Sequence, residues 1–172
     1  MKSDYRVRAF NFLKSIFPYI CDTMESAWET EQAVWRYNVI KSRNVQCMSG
    51  SARIALITSD YVIKWDYDEE NVQEIGGCDV EYENYREAVA AGYGHLFAET
   101  TQVEYNGITF NIMPRVKNIG RKHHAYDIDH YMTREEYNWV SHFISDLHSY
   151  NWGIMNNRAV IIDYAYRYDW GY

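Results

Sequence analysis

The chain has 172 residues, a net charge of −7 and 47% apolar residues, a length that suits one domain or a small two-lobed unit with a substantial core. No apolar run approaches the ~20 residues of a membrane-spanning helix, and an excess of carboxylates argues against a binder of nucleic-acid backbones, whose affinity comes from Lys and Arg. The acidic surface is accounted for by solubility more simply than by mimicry of DNA toward a host enzyme.

Cys21, Cys47 and Cys78 are scattered, and Lys2, Asp4, Arg6 and Arg8 interrupt the start where a secretory signal would lie, so a reducing cytoplasm is the expected compartment. With 17 tyrosines and 6 tryptophans against 2 prolines, large aromatic side chains are expected to supply packing area.

From Asp4 to Ile20, the residues Val7, Phe10, Phe12, Leu13, Ile16 and Phe17 recur mostly at intervals of three or four, which predicts an amphipathic helix ended or bent by Pro18. A second helix is expected from Asp22 or Thr23, closing near Lys41 to Asn44. Both read as a packing brace, since apolar stripes usually face a core.

A β-meander follows: strands over Asn44–Met48, Arg53–Thr58 and Tyr61–Trp65, with turns at Ser49-Gly50-Ser51 and Ser59-Asp60. Asp66 to Gly77 reads as an acidic loop, and Cys78 to Ala91 as a helix. Thr101–Tyr105 and Thr109–Met113 flank Asn106-Gly107, a strong hairpin signal. Lys122 to His130, KHHAYDIDH, lacks a metal-ligand spacing and reads as a polar loop. Thr133-Arg134-Glu135-Glu136 is a capping box. The stripe Tyr137, Val140, Ile144, Leu147 predicts a helix reaching the position of Asp146.

The most informative stretch is Ser145 to Ala165, SDLHSYNWGIMNNRAVIIDYA. It places Asp146 and Asn151 on one loop and delivers Asp163 at the end of an apolar run, Ala159 to Ile162. Phosphoryl transfer asks a protein mainly for Mg²⁺ ligands, positive charge and a carboxylate to orient the nucleophile, and Mg²⁺ takes few protein ligands, all oxygen. A plainer reading makes Asp146-Leu147-His148 the last turn of a helix, with Asn151 and Gly153 as stop signals and Ile161-Ile162 as an ordinary core strand.

The pattern D-L-H-x-x-N followed by I-I-D-Y resembles the catalytic loop and metal-binding Asp of kinase-like folds, and is closer to aminoglycoside phosphotransferases than to the H-R-D loop of most protein kinases. The resemblance implies Asp146 as catalytic base, and Asn151 and Asp163 as metal ligands. It also implies Lys64, in V-I-K, as the phosphate-contacting lysine, held by Glu81, with Glu83 as competitor. Gly50 and Ser51 would cover the phosphates, and Pro114-Arg115-Val116, following Met113, would be the hinge against the adenine. His148 would brace Asp146 or Asp163. Ile144 stands where many kinases have the catalytic-loop His, Ala165 replaces a Gly, and a full G-x-G-x-x-G is missing.

Nine residues follow Asp163, so the resemblance implies a minimal kinase-like protein, similar to short ones encoded by bacteriophages. The expected fold is α+β: a helical extension over 1–43, an N-lobe-like antiparallel sheet with a helix over 44–116, and a reduced helical C-lobe over 117–172. The expected function is phosphotransfer from ATP with Mg²⁺, to a protein hydroxyl in preference to a small molecule. The alternative is a non-catalytic kinase-like protein that binds and inhibits a host protein, and nucleotidyl transfer would use the same metal ligands.

Overall fold

The computed structural model describes residues 4–20, 38–49, 53–66, 77–118, 128, 130–148 and 150–165. Most of the expected second helix, residues 67–76 of the expected acidic loop, the Gly50-Ser51 turn and nearly all of the 122–130 stretch lie outside them. The fold is mixed α+β, divided into two compact units: Met1–Cys78 with Thr101–Arg115, and Asp79–Thr100 with Val116–Tyr172.

In the first unit, α1 (Tyr5–Ile16) is capped by Asp4, whose carboxylate accepts the Arg6 N–H at 3.0 Å. Its buried face is Ala9, Leu13 and Ile16, spaced to share one side of a helix. Val7, expected in the stripe, falls off that side and is 54% exposed. Pro18 opens a short 3₁₀ turn, Phe17–Tyr19, and so bends the chain onward. Residues 38–41 are helical, and Asn44 at φ 59° closes the turn after them, a conformation Asn tolerates better than most residues.

Five strands follow: β1 (Gln46–Ser49), β2 (Arg53–Ile57), β3 (Tyr61–Asp66), β4 (Thr101–Tyr105) and β5 (Ile108–Pro114). They form an antiparallel sheet in the order β1-β2-β3-β5-β4. Side chains alternate across a strand, so Ile54, Leu56, Ile63, Trp65, Phe110 and Ile112 share one face and form a single core with Ala9, Leu13 and Ile16 of α1. The first helix is therefore a brace for the sheet. The opposite face carries a row in register, Ala55, Lys64, Asn111 and Gln102.

Helix α2 (Cys78–Ala90) starts on the last residue of the first stretch, and its remainder belongs to the second unit. A 3₁₀ turn (Gly94–Leu96), β6 (Lys117–Asn118), α3 (Arg134–Phe143), β7 (Trp152–Met155) and β8 (Arg158–Ile161) complete that unit. Its core joins Ala88, Leu96, Phe97, Ile128, Val140, Ile144, Trp152, Ala159, Ile161 and Tyr164. Phe97 meets Trp139, Phe143 and Tyr164 edge-on, with ring centroids 5.1–6.2 Å apart, which is how aromatic quadrupoles prefer to meet. The capping box at α3 is formed: Thr133 Oγ1 accepts the Glu136 N–H, and Glu136 Oε2 accepts the Thr133 N–H.

Two features differ from the sequence reading. The α3 helix stops at Phe143, with Ile144 already extended at φ −110°, ψ 123°, so Asp146 stands beyond the helix; Ser145 and Asp146 follow, residue types whose side chains compete with helical backbone bonds. Moreover, the second unit holds a three-stranded sheet, β6-β7-β8, where a reduced helical lobe with one strand over the Ala159–Ile162 run is expected. Its β7–β8 hairpin turns on Asn156-Asn157, at φ 53° and 62°, a primed two-residue turn whose twist matches the strands. Asn-Asn is a weaker signal than the Asn106-Gly107 turn, at φ 51° and 79°. Replacing Asn157 by Val is expected to destabilise the protein by about 1–2 kcal/mol, the cost of a left-handed backbone for an L-residue. Asn157→Gly should be neutral or stabilising, with both read from denaturant midpoints.

Candidate functional site

The β7–β8 hairpin assembles the site. Trp152 pairs with Ile161, so the residues flanking that pair, Asn151 and Ile162-Asp163, are brought side by side although the hairpin separates them in sequence. The Asn151 carbonyl accepts the N–H of Ile162 at 2.7 Å and that of Asp163 at 3.3 Å. Its side-chain amide works in the other direction: Nδ2 donates to the Asp146 carbonyl at 2.9 Å and to Asp146 Oδ2 at 3.0 Å. One buried residue thus ties Asp146 to Asp163.

Asn151 Nδ2 has both its partners on Asp146, and Asn151 Oδ1 makes no hydrogen bond among the described residues. An amide oxygen and the Asp163 carboxylate are hard oxygen donors, the type Mg²⁺ takes, in the small number it asks of a protein. No cluster of three or more His, Cys, Asp or Glu suited to a metal occurs among the described residues.

Asp146 is bounded on its other side by His148, whose Nε2 stands 3.4 Å from Asp146 Oδ1. His148 Nδ1 accepts the Tyr150 N–H at 3.2 Å, and the His148 carbonyl accepts the Asn151 N–H at 2.9 Å. The 146–151 loop is thereby closed on itself.

Asp163 is held from behind by its neighbour. Tyr164 is fully buried, donates its hydroxyl to the Ala98 carbonyl at 2.8 Å, and shares a short hydrogen bond with Thr100 Oγ1. The Tyr164 carbonyl accepts Asn84 Nδ2 of α2 at 2.7 Å. Burial pushes the Tyr164 phenol well above its ordinary value, and the charges of Glu81, then Tyr85 and Asp163, push the same way against the Thr100 bond. Of the two carboxylates left open on α2, Glu81 is buried and Glu83 exposed.

The remaining expected residues lie in the first unit. Lys64 is 7% exposed on β3, between Ala55 and Asn111, and a buried ammonium needs polar surroundings. Asn111 donates to the Cys78 carbonyl at 2.7 Å, and the Asp66 carboxylate accepts the Cys78 N–H at 3.1 Å, a favourable place for an anion at the start of α2. Met113 is buried in β5 opposite Val62. Arg115 is exposed; its N–H donates to the Asp60 carbonyl and its guanidinium to the Thr58 carbonyl, so it secures the β2–β3 turn at the point where the chain passes into the second unit. Gly50 and Ser51 lie outside the described residues.

Sequence reasoning missed the backing of Asp163 by Asn84, Ala98, Thr100 and Tyr164. The available signal was Asn84 itself, a poor mid-helix residue three positions after Glu81 and four before the buried Ala88.

Tyr164→Phe is expected to cost about 0.5–1.5 kcal/mol at neutral pH, since it removes the phenol's bonds to the Ala98 carbonyl and the Thr100 hydroxyl and leaves those two bonded only to each other. The folded Tyr164 has a raised pKa against 10.0 unfolded, so its contribution is complete below pH 10 and is lost as pH rises above it. The stability gap between wild type and Tyr164→Phe should narrow above pH 10, measured by denaturation at stepped pH; a constant gap would contradict the burial of the neutral phenol. Compared with protein families, curated proteins and solved structures, the chain matches none.

Proposed function

We propose that this protein is an ATP- and Mg²⁺-dependent phosphotransferase of kinase-like fold, acting on a protein hydroxyl. The observation that carries the reading is that the hydrogen bonds of Asn151 tie the Asp146 side chain and the Asp163 backbone to one residue, bringing together the three residue types that phosphoryl transfer uses. The order along the chain adds support: the third strand carries Lys64 and the helix that follows it in sequence carries Glu81, the order in which kinases carry their Lys and Glu.

In this proposal Asp146 accepts the proton of the acceptor hydroxyl as its oxygen bonds to the γ-phosphorus, while the bond from that phosphorus to the β–γ bridging oxygen breaks and ADP leaves. Lys64 would neutralise phosphate charge. Asn151 Oδ1 and Asp163 would hold Mg²⁺, which neutralises charge on the phosphates when bound. The backbone that carries Asp163 is fixed by the Tyr164 anchor and the Asn151 carbonyl.

The test uses wild type and Asp163→Ala with ATP labelled at the α or the γ phosphate, in a host-cell lysate. Wild type should transfer γ label and the variant should not, and Mg²⁺–ATP at 100 times its Kd should stabilise wild type by about 2.7 kcal/mol. Transfer of α label would replace this reaction with nucleotidylation. No transfer and no stabilisation would overturn the reading in favour of a binding protein that inhibits a host partner.

A further inference from the structure

We propose that His148 is a positioning residue for Asp146, fixing the plane of its carboxylate through Nε2–H while its Nδ1 locks the loop. The inference deepens the phosphotransferase reading and rests on it for its kinetic consequence. The Tyr150 N–H points to His148 Nδ1 at 3.2 Å, and only a ring nitrogen carrying a lone pair can accept it. The neutral ring therefore keeps its proton on Nε2, the nitrogen 3.4 Å from Asp146 Oδ1. The Tyr150 ring meets the imidazole edge-on at 5.8 Å, adding a second restraint on the ring.

Asp146 is consequently gripped from both sides. Oδ2 takes an Asn151 N–H at 3.0 Å and Oδ1 faces the imidazole, while the second Asn151 N–H takes the Asp146 carbonyl. Each carboxylate oxygen has two acceptor sites, so one on each stays open for an acceptor hydroxyl. A separation of 3.4 Å is longer than a settled hydrogen bond, a length common for catalytic contacts before substrate tightens them. The His148 side chain is 48% exposed and that of Asp146 43%, and so exposed a contact contributes little to stability. Orientation of the carboxylate is the role left to it.

Two substitutions separate the halves of the ring. His148→Asn keeps an acceptor near Nδ1 for the Tyr150 N–H and loses the donor. His148→Gln keeps a donor near Nε2 and loses the acceptor. With γ transfer to a lysate protein as the assay, His148→Asn should lower kcat by roughly 10–100-fold, the cost of loosening a reacting group by about 1 Å. KM for ATP should hold and Tm should move by less than about 2 °C. His148→Gln should recover most of kcat, and a His148→Asn protein as active as wild type would overturn the proposal.

Nitrogen-15 NMR of the imidazole, at a pH where it is neutral, gives an answer that needs no turnover. Wild type should show one tautomer, protonated at Nε2, and Asp146→Ala should keep that tautomer while its Nε2 resonance shifts with loss of the facing carboxylate; a mixture or an Nδ1–H tautomer in wild type, or an Nε2 resonance unmoved in Asp146→Ala, would overturn the proposal. Wild type that transfers no label sinks the phosphotransferase reading alone, and the tautomer still decides whether His148 orients Asp146.

Discussion

Asn151 is the residue through which the candidate site exists as a unit. Its carbonyl receives two backbone N–H groups from the segment that ends β8, and its amide gives both protons to Asp146. Few arrangements satisfy this buried residue's N–H groups and carbonyl together, and leaving one of them unpaired would cost about 1–3 kcal/mol. The hairpin supplies the proximity that makes the arrangement possible, and the arrangement fixes which atoms remain open for chemistry. Everything proposed about the second unit depends on that coupling of turn, strand register and side-chain amide.

Behind it stands a second layer that positions Asp163. Tyr164 spends its hydroxyl on Ala98 and Thr100 and its carbonyl on Asn84, so the residue after Asp163 is fastened to both α2 and the segment after the 3₁₀ turn. Preorganised groups need no rearrangement as charge develops, which is why a small protein can put its few polar buried residues here. The first unit has its own version on the polar face of the sheet, where Asn111 and Asp66 fasten the two ends of the Cys78 peptide unit.

Much of this was legible from sequence. The strands, the Asn106-Gly107 hairpin, the α3 capping box and the span of α2 follow from alternation, turn chemistry and caps, which act within a few residues of each other. The motif Asp146, Asn151, Asp163 was legible as a set of residue types. Its geometry was not, because it depends on a strand, β7, announced only by Asn156-Asn157, and on tertiary bonds from Asn84 and Thr100 that leave no local pattern. The α3 stripe ran past its true end for a related reason: Leu147 keeps helical spacing with Val140 and Ile144, yet the loop bonds of Asp146 and Asn151 outcompete one more helical turn.

The central claim is that Asn151 and Asp163 together face a hard divalent cation. The most direct measurement follows amide resonances of the protein while Mn²⁺, a paramagnetic stand-in for Mg²⁺, is titrated in with ATP. The account predicts that the Asn151 side-chain amide and the Asp163 backbone amide broaden first, and that Asn151→Ala abolishes the effect at Asp163. Broadening that leaves these two signals sharp while it removes others would contradict it.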